Sequence, residues 1–345
     1  TWDISYIDYG FDVWGGKTLL STRTMDPLGN VVTVFKGTMG QQIVQIDPDG
    51  YETSFEYDCL GQLTKSTDPN GYETRYWYDW LGRMIHRNHP DAGDDFYSYD
   101  PAGNLCKHVN AEGETIYNNY HYNQLTDITF SQYPANNVHY EYGTTAHASI
   151  NAVGKVIFQK DASGWQKFGY GKLGEVTNNT RTFAIPVDDQ PYTFKMKFTY
   201  DSWNRIQTMT YPDGEKVDYK YNLGGMLKTI TGFKNGLPYK YLDSIRYNEF
   251  ELKEAVYYGN GTYALYTYDI LHRLSRLQSY TAPTSGPNEL MQDIAYTYDA
   301  VSNITDIANS AGTLSNGLGG TYSGHYMYDN LYRLTSANGN WYGNR

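Results

Sequence analysis

His86 and His89, followed at short range by Asp91, Asp94 and Asp95, are the first residues whose types and spacing suggest chemistry. An H-x-x-H pair beside carboxylates can ligate a metal. The stretch also reads as a polar turn between two repeats, and no metal is expected there. Asp58, Asp79, Asp100, Asp201, Asp269, Asp299 and Asp329 each follow a tyrosine and could form a carboxylate array for Ca2+. A hard cation, however, needs about six to eight oxygens converging on one point. Residues repeated along a ladder line up instead, so turn capping is the better reading. Gly317-Leu318-Gly319-Gly320 has no lysine after it and reads as an insertion rather than a phosphate loop. No G-x-S-x-G, H-E-x-x-H or C-x-x-C element is present, and no catalytic residue or cofactor is expected. Trp77 and Trp165 remain as candidate binding residues, because exposed aromatic faces suit glycans. Trp77 and Trp80 flank a turn and Trp203 lies inside another, so packing is the competing reading.

The elements that must position these side chains come from a repeat. Tyr57-Asp58-Cys59-Leu60-Gly61-Gln62-Leu63 returns as Tyr78-Asp79-Trp80-Leu81-Gly82-Arg83-Met84 and as Tyr99-Asp100-Pro101-Ala102-Gly103-Asn104-Leu105, at a period of 21 residues. A worn copy follows at Tyr120 to Leu125. Later copies start at Tyr170, Tyr200-Asp201, Tyr221, Tyr247, Tyr268-Asp269, Tyr298-Asp299 and Tyr328-Asp329, with the spacing stretched to 26 and 30. Between them runs a second turn: Asp26-Pro27-Leu28-Gly29, Asp47-Pro48-Asp49-Gly50 and Asp68-Pro69-Asn70-Gly71. Proline second and glycine fourth is β-turn chemistry. Each period therefore holds two turns and two short strands, for example Thr53 to Tyr57 and Gln62 to Thr67. Gly61 and its equivalents are expected at positive φ. The tyrosine and the leucine six residues on should share a face and stack into ladders of cross-strand contacts.

The sequence thus predicts an all-β chain of tandem β-hairpins forming a spiralling sheet, a shell or barrel segment. It reads as a single array over 1–345: regular over about 22–125, degenerate over about 122–162, and carrying insertions over about 163–345. The insertions at Thr180 to Pro191, Ala282 to Asn288 and Ser310 to Gly324 read as loops and as places for partner contacts. The chain starts within repeat-like sequence, and a fragment of a longer protein is expected. Tyr occurs 37 times and Gly 34 times, a composition of strands and tight turns. A net charge of −11 argues against nucleic acid and against an anionic membrane surface. No run of about 18 apolar residues exists, so no membrane insertion is expected. Cys59 and Cys106 lie two repeats apart, about 19 Å at the usual strand spacing. Two free thiols are expected.

The Y-D-x-x-G-R-L element, in register and alternating with a D-P-x-G turn, resembles the RHS/YD-repeat family. Tyr78 to Met84 and Tyr268 to Leu274 match it best. That family includes bacterial Rhs and wall-associated proteins, the C components of Tc toxins, and teneurins. The resemblance implies a secreted or cell-surface structural shell, not an enzyme, that encloses its own C-terminal polypeptide, such as a toxin, or other segments of the parent chain. Secretion or cell-surface proteins are further possible partners. The alternative is a surface adhesion module for glycans or proteins. Family members carry an autocleavage module built on D-P-x-G, but Asp26-Pro27-Leu28-Gly29 is in phase with two ordinary turns and reads as a turn.

Overall fold

The computed structural model describes residues 6–184, 190–282 and 288–344. These hold twenty-eight strands and two short 3-10 turns, Pro134–Asn136 and Thr145–Ile150. The chain divides into two compact units, Thr1–Lys195 and Met196–Arg345. Within each unit, strands pair antiparallel with their neighbours in sequence, as Glu52–Tyr57 does with Leu63–Thr67 and Lys216–Tyr221 with Leu227–Lys234. The fold is all-β, a succession of hairpins.

The two kinds of turn prove to be one structure. In the Asp47 turn, Asp47 N donates to Tyr51 O and Gly50 N to Asp47 O, both at 3.0 Å. In the Asp58 turn, Asp58 N donates to Gln62 O at 3.0 Å and Gly61 N to Asp58 O at 3.1 Å. Each aspartate then accepts two further amides on Oδ1: Asp49 N and Tyr51 N at Asp47, Leu60 N and Gln62 N at Asp58. Gly61, Gly82 and Gly103 take φ values of 80°, 79° and 92°. Later repeats keep the left-handed conformation without glycine, at Asn204, Glu251, His272, Ser302 and Tyr332. Each of these turns is headed by a side-chain acceptor (an aspartate, or Asn248 before Glu251), whereas turns headed by Gly37, Gly171, Tyr211 and Tyr258 make the same main-chain bonds and keep glycine at positive φ. Replacing Glu251 by glycine should raise stability by roughly 1 kcal/mol. A denaturation midpoint that stays put or falls would contradict this.

What separates the two turns is the strand behind them. After an Asp47-type turn the register runs straight: Ile46 faces Glu52 and Gln45 faces Thr53. After a Tyr-Asp turn it slips by one: Tyr57 faces Leu63, but Glu56 faces Lys65. Thr64 is the extra residue of a β-bulge. Its Oγ1 donates to Glu56 O at 3.1 Å. Thr126, Ser275 and Thr335 make the same bond to Asn119, Thr267 and Met327. Cys106 makes it with its thiol, Sγ to Ser98 O at 3.3 Å. Both cysteines are free.

The first and third insertions depart from the loop reading in part, whereas Ser310 to Leu318, Ala282 and Asn288 lie outside the strands as expected of loops. Thr180 to Ala184 belongs to the strand Val176–Ala184, and Gly319 to Gly324 opens the strand Gly319–Tyr328. The added residues lengthen hairpin arms, because their backbone groups find ladder partners such as Ser323 with Asn340. Residues 185–189 and 283–287 of the first two insertions lie outside the described residues.

Burial is sparse. Only nine hydrophobic residues among those described are buried, Phe35, Val44 and Val256 among them. Stability must come from repeated contacts between neighbouring hairpins.

Candidate functional site

Each Tyr-Asp element joins its own hairpin to its neighbours, through the tyrosine and, where one is present, the arginine. The repeat tyrosine donates its hydroxyl to a main-chain carbonyl of the preceding repeat. Tyr78 bonds Leu63 O at 2.8 Å, Tyr99 bonds Met84 O at 2.8 Å and Tyr120 bonds Leu105 O at 3.2 Å. Tyr170, Tyr221, Tyr247, Tyr268, Tyr298 and Tyr328 make the same bond. Desolvation raises the phenol pKa of Tyr78, Tyr99 and Tyr268. These groups stay protonated donors at any neutral pH. Tyr78→Phe should cost about 1 kcal/mol, since it strands the Leu63 carbonyl while keeping the ring. Urea titration of the variant would check this, and an unchanged midpoint would count against it.

The arginine at the sixth motif position works across repeats. Arg83 Nε donates to Asp79 Oδ2 at 2.7 Å, and its Nη1 donates to Asp100 O, in the next turn, at 3.2 Å. Its guanidinium sits 4.8 Å from the centre of the Tyr99 ring. Arg273 repeats this with Asp269, with Asp299 O and with the Tyr298 ring at 4.5 Å. Arg205 holds Asp201 and covers Tyr221 at 4.2 Å, and Arg333 holds Asp329. At Tyr200-Asp201 and Tyr328-Asp329 the same turn amides are bound as at Asp58. Asp299 binds Val301 N and Asn303 N.

The stretch His86 to Asp95 is not a solvated turn, as the sequence suggested. His86 lies within the strand Met84–His89 and pairs across to both neighbours, Trp77 and Phe96. Its ring is stacked between theirs, at 4.2 Å from Trp77 and 4.4 Å from Phe96, nearly parallel to both. Its Nε2 meets Asp94 Oδ1 at 2.7 Å. Only residues near the bend, such as Asp91, fit the earlier reading. On the opposite face, Asp95 is 7% exposed and takes Arg87 Nη2 at 2.5 Å and His108 Nε2 at 2.9 Å. No group of three or more His, Cys, Asp or Glu among the described residues could hold a metal ion.

Histidine–aspartate pairs across strands recur at His139 with Asp127 (2.7 Å) and His325 with Asp306 (2.8 Å). The histidine bond holds the carboxyls of Asp94, Asp127 and Asp306 below their ordinary value of 3.8. At Asp95 burial pushes up, but His108 and Arg87 outweigh it. The Asn104 side chain lowers Asp100 and the Arg205 side chain lowers Asp201. A carboxyl depressed in the folded state contributes stability that is complete above its unfolded value, near 3.8, and is lost as pH falls through the lower folded value. Stability should thus drop steeply below about pH 4. A thermal midpoint at pH 3 equal to that at pH 6 would refute this.

Of the two candidate binding tryptophans, Trp77 is 41% exposed. Trp165 is half-buried, lies 6.1 Å from Phe158 and carries Lys167 Nζ at 5.4 Å over its ring. The two are not brought together: Trp77 is on the strand Glu73–Tyr78 and Trp165 on Gly164–Tyr170.

Antiparallel hairpins clamped in series by tyrosine hydroxyls and arginine bridges define the chain as a tandem β-hairpin repeat protein. The RHS Repeat family model matches residues 60–94. No curated protein matches the chain. Among solved structures, its fold matches that of TcdB2-TccC3-Cdc42, with a TM-score of 0.80 and 19% identity over 98% of this chain and 20% of that one. It also matches TcdB2-TccC3 (TM-score 0.79, 20% identity, 93% of this chain and 19% of that one). The Tc holotoxin pore of Photorhabdus luminescens gives a TM-score of 0.78 at 19% identity, over 93% of this chain and 19% of that one. The chain spans about a fifth of the length of these structures.

Proposed function

We propose that the chain is a structural wall segment of a large secreted or cell-surface RHS-repeat protein, with its sheet enclosing a C-terminal polypeptide of the parent, such as a toxin. The observation carrying this reading is the in-series clamp. Nine tyrosine hydroxyls each reach a carbonyl of the preceding repeat, so the contacts that build one junction also build the next. Such a chain extends a sheet hairpin by hairpin. The match in fold to TcdB2-TccC3 structures supports it. The motif carboxylates and guanidiniums are consumed by turn amides and by each other, so we assign them no catalytic step.

Electron microscopy of the full-length parent, with limited proteolysis alongside, tests the reading. A closed wall around protease-resistant C-terminal density is expected. An open ribbon whose C-terminal region is digested at the rate of the isolated region would end it.

A further inference from the structure

Five asparagines in the chain are followed directly by glycine: Asn70, Asn235, Asn260, Asn316 and Asn338. Such a pair is reactive, because no side chain on the glycine hinders its amide nitrogen from closing onto the neighbouring carboxamide. What differs among the five is how the fold holds that nitrogen. Gly71 N donates to Asp68 O at 3.0 Å, Gly261 N to Tyr258 O at 2.9 Å and Gly317 N to Leu314 O at 2.9 Å. Two of the carboxamides are tied as well. Asn260 Oδ1 accepts from Thr262 N and from Thr262 Oγ1, and Asn316 Oδ1 accepts from Leu318 N. Asn338 and Gly339 lie inside the strand Leu334–Asn344, facing His325 and Gly324.

Asn235-Gly236 is built differently. It forms the tip of the hairpin that joins Leu227–Lys234 to Leu237–Tyr247. Asn235 has φ 53° and Gly236 has φ 79°, the two positive values of a type I′ turn. Neither Gly236 N nor the Asn235 carboxamide has a hydrogen-bond partner among the described residues, and both residues are exposed. Nothing lies within 4 Å of the Gly236 Cβ position either. The tip also opens easily. Its closing pair is Lys234 with Leu237, and the next pair, Phe233 with Pro238, includes a residue that has no N–H. Local opening at this hairpin end frees the Asn235 main chain to turn its carboxamide toward Gly236 N without disturbing the rest of the ladder.

We infer that Asn235 is a self-modification site, which the chain converts to aspartate and isoaspartate while the other four Asn-Gly pairs persist. The steps balance with water alone. Gly236 N loses its proton to hydroxide and forms a bond to Asn235 Cγ. The Cγ–Nδ2 bond breaks, and Nδ2 takes a proton from water and leaves as ammonia. A cyclic imide remains. Water then adds at one of its two carbonyls. Breaking the bond from Gly236 N to Cγ gives aspartate. Breaking the bond from Gly236 N to the Asn235 main-chain carbonyl carbon gives isoaspartate, whose main chain runs through Cβ and lengthens the turn. Either product places a carboxylate beside Lys234, whose ammonium already pairs with Asp213 at 2.6 Å. The inference is independent of whether the sheet encloses a polypeptide.

The full chain is incubated in its folded state in water enriched in oxygen-18, at neutral and at mildly alkaline pH. Digestion and mass spectrometry with electron-transfer fragmentation then read each asparagine and separate aspartate from isoaspartate. Asn235 should convert at least about tenfold faster than each of the other four, since those must first break a hydrogen bond or a strand pairing. Its products should include isoaspartate and should carry the heavy oxygen. The rate should rise with pH, because the attacking nitrogen must lose its proton. The same chain unfolded in urea should level the five sites, which assigns the difference to the fold. The inference is overturned if Asn235 persists in the folded chain while it converts in urea, or if any of the other four keeps pace with it. It is equally overturned if Asn235 leads by the same factor in urea, or if its product is aspartate without isoaspartate.

Discussion

Asp95→Ala is expected to destabilise the first unit by about 2 kcal/mol, among the largest effects of any polar side chain in the array. Asp95 is 7% exposed and is the shared acceptor of Arg87 and His108, which reach it from the two flanking strands. Its loss leaves a guanidinium without its carboxylate in a half-buried site. A fully buried pair would cost more, about 3–5 kcal/mol. The Arg87 side chain is 37% exposed, however, and water recovers part of the loss. The matching change at Asp293 should cost less. Asp293 is 6% exposed, but its partner Arg276 is 49% exposed and is rehydrated more completely. Urea unfolding followed at constant m-value ranks the two variants. Equal midpoints for parent and Asp95→Ala would show that the cluster is energetically idle.

Gly259→Ala is expected to be at least as damaging, at about 3 kcal/mol, for a reason unrelated to charge. Gly259 N donates to Tyr241 O at 3.0 Å, and a Cβ at Gly259 would lie 1.6 Å from the Lys240 carbonyl oxygen. The obstacle is main chain and cannot rotate away, so the two strands must part. Gly50→Ala is the contrast. Nothing lies within 4 Å of its Cβ position, and the cost there is only that of a residue held at φ 84°. Amide exchange around Leu242 and Tyr258, which face each other across these strands, should accelerate in Gly259→Ala. Unchanged protection there would rule out the close approach.

Much of the architecture is legible in the residues. Tyrosine and aspartate at a fixed period mark strand ends and turn starts, and the positive φ of Gly61 follows from its place in the turn. The junction between repeats is not legible, because it depends on register. A single bulged residue at Thr64 flips which later side chains share a face, and one sequence gives only a faint sign of it. That sign is the hydroxyl or thiol after the repeat leucine at Thr64, Cys106, Thr126, Ser275 and Thr335. Tyrosine rather than phenylalanine at Tyr78 looked like a packing choice until its hydroxyl was placed on Leu63 O. Arg83 was visible in the motif, yet its reach to Asp100 O and Tyr99 crosses a repeat boundary that local pattern does not span. His86 was assigned to a bend because polar residues crowd around it. Its stacking partners Trp77 and Phe96 lie on two other strands.

Turns headed by Asp47 and by Asp58 share one hydrogen-bond scheme, and the clamps run only between adjacent repeats. Recombination that adds or removes a whole period would therefore leave every remaining junction chemically intact. Copy number in such a gene can drift, with the length of the hairpin array changing in steps while its local chemistry stays the same. A slip of half a period would be different. It would trade a bulged turn for a straight one and place a tyrosine where no carbonyl awaits it.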